Sequence, residues 1–253
     1  MRLQDKAAII TGAGSGIGMA TVRKFLAEGA RVFATDLDNA ALDSLAREFP
    51  SIGTMAGDVS QSRDVETIVT AATGECGRID ILVNSAGITA RNVGDDASLG
   101  ERWDKVMEVN VKGSMLMAHA VVPAMRQSGG GSIVNLGSVM GFTGYPTELG
   151  FSDGFNPYPS SKGAVSQLTR DMGVRLAAEG IRVNAVAPGF VHTSLTKNVT
   201  RDQEILDTLN RLHPVGRMGT AEEIANVIAF LASDEASFVN GAVWMVDGGY
   251  SAQ

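Results

Sequence analysis

The stretch "AAIITGAGSGIG" (residues 7–18) decides how the chain folds. Its apolar start is typical of a buried strand, and a glycine-rich loop separates that strand from a helical pattern. We expect Gly12 to permit a sharp turn, Gly16 to let the backbone approach a pyrophosphate, and Gly18 to permit close packing of the helix. Free N–H groups at the start of that helix would attract the phosphates. The loop therefore predicts dinucleotide binding, with an ordinary tight turn as the alternative.

Short apolar runs alternate with longer helical patterns along the rest of the chain. Strands are predicted at 7–11, 31–35, 52–56, 79–84, 132–137, 182–187 and 243–246. Helices are predicted at 17–28, 39–49, 61–76, 99–127, 158–179 and 220–233. The strand runs are continuously apolar, as expected for strands that are covered on both faces. This order predicts one α/β domain over residues 1–253, with a doubly wound parallel sheet.

Composition and charge exclude several classes of function. The 253 residues carry a net charge of −7, which argues against a broad nucleic-acid surface. No apolar run approaches the ~18 residues of a membrane span, and the first residues lack a signal-peptide pattern. One cysteine, Cys76, and three widely separated histidines argue against disulfides and metal sites. We expect a protein of the reducing cytoplasm that binds neither nucleic acid, membrane nor metal.

An acidic residue, Asp36, ends the second predicted strand, 18 residues after Gly18. A carboxylate there can accept hydrogen bonds from both hydroxyls of an adenosine ribose, and it would repel a 2′-phosphate. The glycine loop holds Ala13 and Ser15, without a lysine or arginine that would neutralise such a phosphate. The sequence therefore favours NAD over NADP, and the alternative is that Asp36 is only a turn residue in "DLDN".

A tyrosine and a lysine four residues apart stand in "FNPYPSSKGAV" (155–165). Proline is tolerated in the first turn of a helix, so Pro157 and Pro159 predict a helix start with Tyr158 and Lys162 on one face. This spacing alone is weak evidence, and a solvated pair of side chains is the alternative.

Taken together, the motifs make the chain resemble the short-chain dehydrogenase/reductase family. They stand in the family's order and are "TGAGSGIG" (11–18), Asp36, "GDVS" (57–60), "NSAG" (84–87), Asn110 in "VMEVNVKG", Ser138 in "NLGSVMG", "YPSSK" (158–162) and "PGFVHT" (188–193). The resemblance spans nearly the whole chain. It implies a single Rossmann-like domain with a seven-stranded parallel sheet and helices on both faces. It also implies an oxidoreductase that interconverts a secondary alcohol and a ketone.

The resemblance implies catalytic roles for Asn110, Ser138, Tyr158 and Lys162. Tyr158 would be the general base in alcohol oxidation and the acid in ketone reduction. A free phenol has a pKa of ~10, and a nearby Lys162 ammonium would favour the phenolate. Ser138 would hydrogen-bond the substrate oxygen, so Ser138 and Tyr158 would both bind substrate. Lys162 would also hold the nicotinamide ribose, and Asn110 would position a water that carries the proton to bulk solvent.

The resemblance also implies which residues contact the NAD cofactor. They are Gly12, Ser15, Gly16, Ile17, Gly18, Asp36, Leu37, Asp58, Val59, Asn84, Ala86, Gly87, Tyr158, Lys162, Pro188, Gly189, Val191 and Thr193. Residues 190–213 match a mobile lid over the substrate. The family commonly forms homotetramers through two long helices and the C-terminal segment. Met107, Met115, Met117, Met125 and Met172 lie in those helices, where they suit an interface or a core equally well.

One departure from the family pattern lies between Ser138 and Tyr158, which are 20 residues apart. The usual gap is about 13 residues, and the longer loop costs little closure entropy. The extra residues fall in "YPTELGFSDGFNP" (145–157), here called the insertion. Four aromatic residues in or near it would line an apolar substrate site, or would instead pack on their own domain or on a neighbouring subunit: Phe142, Tyr145, Phe151 and Phe155. We therefore prefer an apolar or cyclic alcohol as substrate.

Three other functions remain open. A 3-oxoacyl thioester reductase of fatty-acid or polyester synthesis would share the fold and the four catalytic residues, but such enzymes usually resemble NADP users, which Asp36 disfavours. A sugar or polyol dehydrogenase would differ only in substrate. A non-catalytic NAD-binding sensor would be expected to have lost Ser138, Tyr158 or Lys162, and all three are present.

Overall fold

A computed structural model of the protein describes residues 1–94, 96–197 and 200–253. Asp95, and Asn198 and Val199 of the predicted lid, lie outside the described residues. Seven parallel strands form one sheet in the order β3-β2-β1-β4-β5-β6-β9. These strands are β1 (Ala7–Thr11), β2 (Arg31–Asp36), β3 (Gly53–Ala56), β4 (Ile81–Asn84), β5 (Gly131–Leu136), β6 (Ile181–Pro188) and β9 (Val243–Val246). Two short strands, β7 (Val191–His192) and β8 (Gly219–Thr220), pair with each other.

Helices cover both faces of the sheet. They are α1 (Gly16–Ala27), α2 (Asn39–Glu48), α3 (Ser62–Cys76), α4 (Leu99–Met107), α5 (Ser114–Gln127), α6 (Pro157–Leu176), α7 (Gln203–Leu212) and α8 (Ala221–Ala232). The expected seven-stranded, doubly wound Rossmann-like sheet is confirmed. Among the described residues, none of these helices combines the length and the apolarity needed to cross a membrane.

Successive residues of each central strand face two separate apolar layers. Ile10 of β1 belongs to a layer with Phe25 of α1 and Ile228 of α8. Its neighbour Ile9 belongs to the opposite layer, with Ile68 of α3. All five residues of β1 are buried. Because both faces are covered by helices, the strands read as continuous apolar runs rather than as alternations.

The predicted helix over 99–127 is divided in the structure. A π-helical segment, Glu108–Gly113, separates α4 from α5. The Asn110 side chain in this segment bonds to the backbone of Ile88. A Cβ added to Gly113 would lie 2.7 Å from Cγ2 of Val59, so the segment approaches the loop after β3 closely. A π-bulge inside a helix often marks a functional site, and the sequence periodicity did not reveal it.

The sheet order changes direction between β1 and β4. The chain moves outward from β1 to β2 and β3, then returns to the other side of β1 with β4. The loops after β1 and β4 therefore separate and leave a crevice at the carboxyl ends of the strands. The loops after β5 and β6 end at the same edge, which is where the motifs of the sequence converge.

Candidate active site

A cleft of about 570 Å³ opens at the carboxyl edge of the sheet. The glycine loop after β1 contributes Ser15 and Gly16, and the loop after β5 contributes Ser138. Helix α6 contributes Tyr158 and Lys162. The topology thus brings the predicted dinucleotide loop and three of the four predicted catalytic residues to one cleft.

The first turn of α6 presents Tyr158 and Lys162 as the prolines predict. Asn156 caps the helix, its side chain accepting a hydrogen bond from the Tyr158 N–H at 3.0 Å, and Pro157 is the first helical residue. The Ser138 hydroxyl lies near the Tyr158 phenol and lowers the pKa of that phenol. Ser138 itself is fixed by a short turn, in which its Oγ accepts from the Met140 N–H at 3.2 Å.

Lys162 is buried beneath the tyrosine. Its Nζ donates to the Leu136 carbonyl at 2.7 Å and lies 5.6 Å from the centroid of the Tyr158 ring. Burial lowers the pKa of Lys162 to about 8. An ammonium has three N–H donors, and Leu136 engages one of them. The others remain for a ligand in the cleft that Lys162 lines.

Two effects shift the pKa of the Tyr158 phenol in opposite directions. Burial raises its pKa, and the neighbouring Ser138 hydroxyl lowers it by less. In the chain alone desolvation therefore outweighs the stabilisation of the phenolate that the sequence suggested.

The Asn110 side chain makes three hydrogen bonds within the protein. Its Nδ2 donates to the Ile88 carbonyl at 2.9 Å and to the Ser161 Oγ at 3.0 Å. Its Oδ1 accepts from the Ile88 N–H at 2.8 Å. Gly87 lies beside it, and a Cβ there would be 3.3 Å from Asn110 Oδ1 and 3.5 Å from Lys162 Nζ. Asn110 thus connects the loop after β4 to the start of α6 and does not line the cleft.

The glycine loop has the form that close approach of a ligand requires. Gly12 and Gly16 have φ angles of 63° and 52°, in the left-handed region that favours glycine. A Cβ on Gly12 would lie 2.8 Å from the backbone of Ala86, and one on Gly18 would lie 2.0 Å from the Gly12 carbonyl oxygen. Ser15 begins α1 without a side-chain capping bond. The first N–H groups of α1 are therefore available to a phosphate, and the loop fits the group.

The Asp36 carboxylate is held at the end of β2 by backbone donors. One oxygen accepts from the Gly14 N–H at 2.9 Å and the other from the Asp38 N–H at 3.0 Å. A carboxylate has about four acceptor sites, so both oxygens can accept further hydrogen bonds.

The other predicted cofactor residues fall into two groups. Those that line the cleft, besides Tyr158 and Lys162, are Ser15, Gly16, Ile17, Gly87, Pro188, Gly189, Val191 and Thr193. Those that lie outside its lining are Gly12, Gly18, Asp36, Leu37, Asp58, Val59, Asn84 and Ala86. In the second group, Leu37 is exposed and Val59 is buried. Asn84 points into the core, where its Nδ2 donates to the Asn135 Oδ1 at 2.9 Å.

Known proteins resemble this chain over its whole length. A family model described as enoyl-(acyl carrier protein) reductase matches residues 12–251. The 3-oxoacyl-[acyl-carrier-protein] reductase FabG of Thermotoga maritima is 42% identical, over 98% of this chain and 99% of its own. Cyclohexanol dehydrogenase of Acinetobacter sp. is 34% identical, over 100% and 97%. The crystal structure of levodione reductase has a TM-score of 0.87 at 36% identity, and 99% of each chain is covered.

The chain belongs to the short-chain dehydrogenase/reductase family. It is accordingly an oxidoreductase that acts on CH–OH groups with a nicotinamide cofactor. The resemblance drawn from the motifs is confirmed.

In this short-chain dehydrogenase the insertion forms one wall of the cleft. Tyr145, Phe151 and Phe155 line it, whereas Phe142 does not. The Tyr145 and Phe151 rings meet edge to face with centroids 5.9 Å apart. Leu149 is buried against Leu209 of α7 and against Met218. The insertion therefore does both things that the sequence left open, since it lines the cleft and also packs on its own chain.

Several residues of the site were missed from the sequence. The Thr11 Oγ1 accepts from the N–H groups of Ser85 and Ala86 at 3.1 and 3.0 Å, which fixes the loop after β4. A hydroxyl at the end of an apolar strand was the available signal. Arg91 and Arg102 also line the cleft, and nothing in their local sequence indicates it. Within the described ranges, no cluster of three or more potential metal ligands occurs.

Proposed function

We propose that this enzyme transfers a hydride between NAD and the carbon of a secondary alcohol or ketone, with Tyr158 as the general acid or base. The observation that carries the proposal is the meeting of Ser138, Tyr158 and Lys162 in the cleft that also contains the glycine loop. When bound, the nicotinamide accepts a hydride from the alcohol carbon or returns one to the ketone.

Side chains of the protein accept and donate the proton. In oxidation the Tyr158 phenolate takes the hydroxyl proton, and in reduction the phenol returns it to the oxygen. Ser138, whose hydroxyl lies near that phenol, holds the substrate oxygen beside it. The Lys162 ammonium opposes the desolvation of the phenolate, and its free donors would hold the nicotinamide ribose. Asn110 acts as a positioning residue that keeps the loop after β4 against α6.

Replacing Tyr158 with Phe tests these roles. The variant is expected to lose turnover by several orders of magnitude while a change in NADH fluorescence still reports cofactor binding, because the phenol moves the proton. Turnover that persists in the variant would refute the assignment.

The preference for NAD over NADP is proposed from Asp36. Its carboxylate stands at the end of β2 with acceptor capacity for ribose hydroxyls, and its charge opposes a 2′-phosphate. Leu37, Asp58 and Val59, after β2 and β3, would surround the adenine. Initial rates with NAD and NADP test the preference. Asp36→Ala is expected to lower the ratio of the rate with NAD to the rate with NADP. A clear preference of the unaltered enzyme for NADPH would overturn it.

An apolar or cyclic secondary alcohol is the proposed substrate. The aromatic wall of Tyr145, Phe151 and Phe155 supports this, as does similarity to a cyclohexanol dehydrogenase. Residues 190–213 are proposed as the lid. The Ser194 hydroxyl donates to the Ser15 Oγ at 3.1 Å, so the beginning of this segment touches the glycine loop. A screen of alcohols and ketones that follows NADH absorbance tests the substrate class.

A second candidate is reduction of 3-oxoacyl thioesters, favoured by the similarity to FabG. Asp36 argues against it, because such reductases usually resemble NADP users. Acetoacetyl-CoA assayed with NADH and NADPH separates the two candidates. Rapid NADPH-dependent reduction, with negligible oxidation of ring alcohols, would replace the first proposal with the second.

A homotetramer in the cytoplasm is the proposed form of the enzyme. The family's use of two long helices and the C-terminal segment suggests the contacts, and exposed apolar side chains support them. In α5, Met117 and Met125 are buried in the core, whereas Met115 is 42% exposed. Near the C-terminus, Phe238, Trp244 and Met245 are exposed.

A further inference from the structure

The cleft is positively charged although the chain as a whole is acidic. Among the described residues that line it, the charged side chains are three cations and one anion: Arg91, Arg102, Lys162 and Asp153. The whole chain carries −7. An oxygen of the Asp153 carboxylate accepts from the Phe155 N–H at 3.0 Å, which holds this acid in its own turn. A cleft dominated by charge of one sign concentrates ligands of the opposite sign.

Arg91 lies on the substrate side of the cleft, in a short turn after β4. Its guanidinium carbon is 4.8 Å from the centroid of the Phe151 ring. Phe151 meets Tyr145 edge to face, and Tyr145 and Tyr158 pack against the same buried cluster around Val139 and Met140. The rings of Phe151 and Tyr145 therefore lie between Arg91 and Tyr158.

No carboxylate pairs with Arg91 among residues 1–94, 96–197 and 200–253. Elsewhere in the described ranges, five arginines do pair with carboxylates: Arg2, Arg23, Arg78, Arg126 and Arg217. A guanidinium stacked on a ring keeps the N–H groups of its edge, which match a carboxylate in a bidentate manner. Arg102 adds a second guanidinium to the cleft, with a hydrogen bond to the Gly94 carbonyl at 3.4 Å.

We propose that the physiological substrate carries a carboxylate, bound by Arg91, at the opposite end of an apolar skeleton from its secondary alcohol. Phe151 and Tyr145 pack against the skeleton and set its length, because they separate Arg91 from Tyr158. The inference rests on the proposed function, since it takes Tyr158 as the group that meets the alcohol.

A matched pair of ring alcohols tests the proposal. 4-Hydroxycyclohexanecarboxylate and 4-methylcyclohexanol share the ring and the alcohol and differ in the charge. With saturating cofactor, kcat/KM is expected to be at least about tenfold higher for the acid. Arg91→Gln is expected to lower kcat/KM for the acid about tenfold, mainly through KM, and to change the neutral alcohol less than about twofold.

Two further variants separate the effect of the guanidinium edge from the effect of net charge. Arg91→Lys keeps the charge without the planar edge and is expected to recover only part of the loss. Arg63→Gln removes an exposed arginine of α3 that does not line the cleft, and it should change neither substrate. A loss in Arg63→Gln equal to that in Arg91→Gln would mean that net charge alone is responsible, which overturns the proposal.

Calorimetry gives a readout that does not depend on turnover. Cyclohexanecarboxylate has no alcohol to oxidise, and it is expected to bind the cofactor-loaded enzyme about tenfold more weakly in Arg91→Gln than in the unaltered protein. Equal binding by the two proteins, or equal kcat/KM for the two ring alcohols in the unaltered enzyme, overturns the proposal.

The same measurements separate this inference from the proposed function. Binding of cyclohexanecarboxylate through Arg91, without oxidation of any alcohol, would retain the carboxylate site and reject the proposed function. If oxidation requires Tyr158 but its kcat/KM changes neither with the carboxylate of the substrate nor with Arg91→Gln, the proposed function is retained and the carboxylate site is rejected. If the enzyme neither oxidises any alcohol nor binds cyclohexanecarboxylate, both the proposed function and the carboxylate site are rejected.

Discussion

Single glycines determine how closely the elements around the cofactor loop approach each other. Gly18 lies in α1 with its Cα against the Gly12 carbonyl, whereas Gly74 of α3 has no atom within 4 Å of where a Cβ would stand. Both are helical, and neither has a positive φ. Their difference is therefore one of space and not of backbone conformation.

We expect Gly18→Ala and Gly74→Ala to have opposite effects on stability. Alanine in a helix is favoured over glycine by roughly 0.5–1 kcal/mol, so Gly74→Ala should stabilise the protein by about that amount. In Gly18→Ala the new methyl group would lie 2.0 Å from a backbone oxygen, and the backbone must move. Urea unfolding of the two variants measures the difference, and equal stabilisation by both would contradict this explanation.

The buried Lys162 makes the stability of the folded protein depend on pH. Burial lowers its pKa to about 8 from an ordinary value of 10.5. Below pH 8 both states are protonated, and burial of the charge is unfavourable. Between pH 8 and 10.5 the unfolded chain binds the proton more strongly than the folded one, so stability rises with pH across this window.

Lys162→Met is expected to remove that rise. From pH 7.5 to 9.5 the free energy of unfolding of the unaltered protein should increase relative to the variant by about 2 kcal/mol. Lys112→Met, which removes a lysine that is 47% exposed, serves as the control. Parallel pH profiles for the unaltered protein and Lys162→Met, measured by urea unfolding, would show that the ammonium is not desolvated.

At the scale of elements, the insertion and helix α7, which lies in the proposed lid, form one packed unit. Leu149 of the insertion, Leu209 of α7 and Met218 are all buried together. His213, just after α7, is also tied to the loop after β6, because its Nε2 accepts from the Phe190 N–H at 3.1 Å. The insertion, which forms one wall of the cleft, and helix α7 are therefore expected to move together.

Leu149→Ala tests whether this packing holds the wall in place. Truncating a buried leucine typically costs 2–5 kcal/mol, and here we expect that loss to appear as local opening of the insertion. Hydrogen exchange should become faster in both the insertion and α7, and KM for the alcohol should rise with a smaller change in kcat. The control is Glu66→Ala at an exposed position of α3. Faster exchange in the insertion without any change in α7 would show that the two do not move together.

At the scale of the whole molecule, several exposed apolar side chains belong to α6 and the C-terminal segment, which meet each other. A Cβ on Gly173 would lie 2.8 Å from the Gly241 Cα, so these two parts are in close contact. Val174, next to Gly173 in the chain, and Phe238, three residues before Gly241, are exposed, and Trp244 of β9 is 38% exposed. Exposed apolar patches of this kind favour association with another copy.

Phe238→Asp is expected to weaken the proposed tetramer. A carboxylate in an apolar interface would lose its hydration, so the variant should sediment as a smaller species while its circular dichroism stays unchanged. Sedimentation of the unaltered protein as a monomer would reject the tetramer itself.

Much of this fold could be predicted from local sequence. The seven strands stand within two residues of their predicted positions because continuous apolar runs reflect burial on both faces. The helix predicted at 220–233 begins with a capping box of Thr220 and Glu223, and such a helix start depends only on residues three apart. The π-helical segment was not predicted, because it depends on Ile88 and Val59, which are distant in the sequence.

The sequence by itself determined the doubly wound sheet, the glycine loop and the placement of Tyr158 and Lys162 on one helical turn. Each depends on residues within a few positions of one another. Only the tertiary structure decided that Ser138 lies near Tyr158, that the buried Lys162 donates to the Leu136 carbonyl, and that Arg91 stacks on Phe151. Those pairs are 20 to 60 positions apart in the chain, and their meeting depends on how the loops fold over the edge of the sheet.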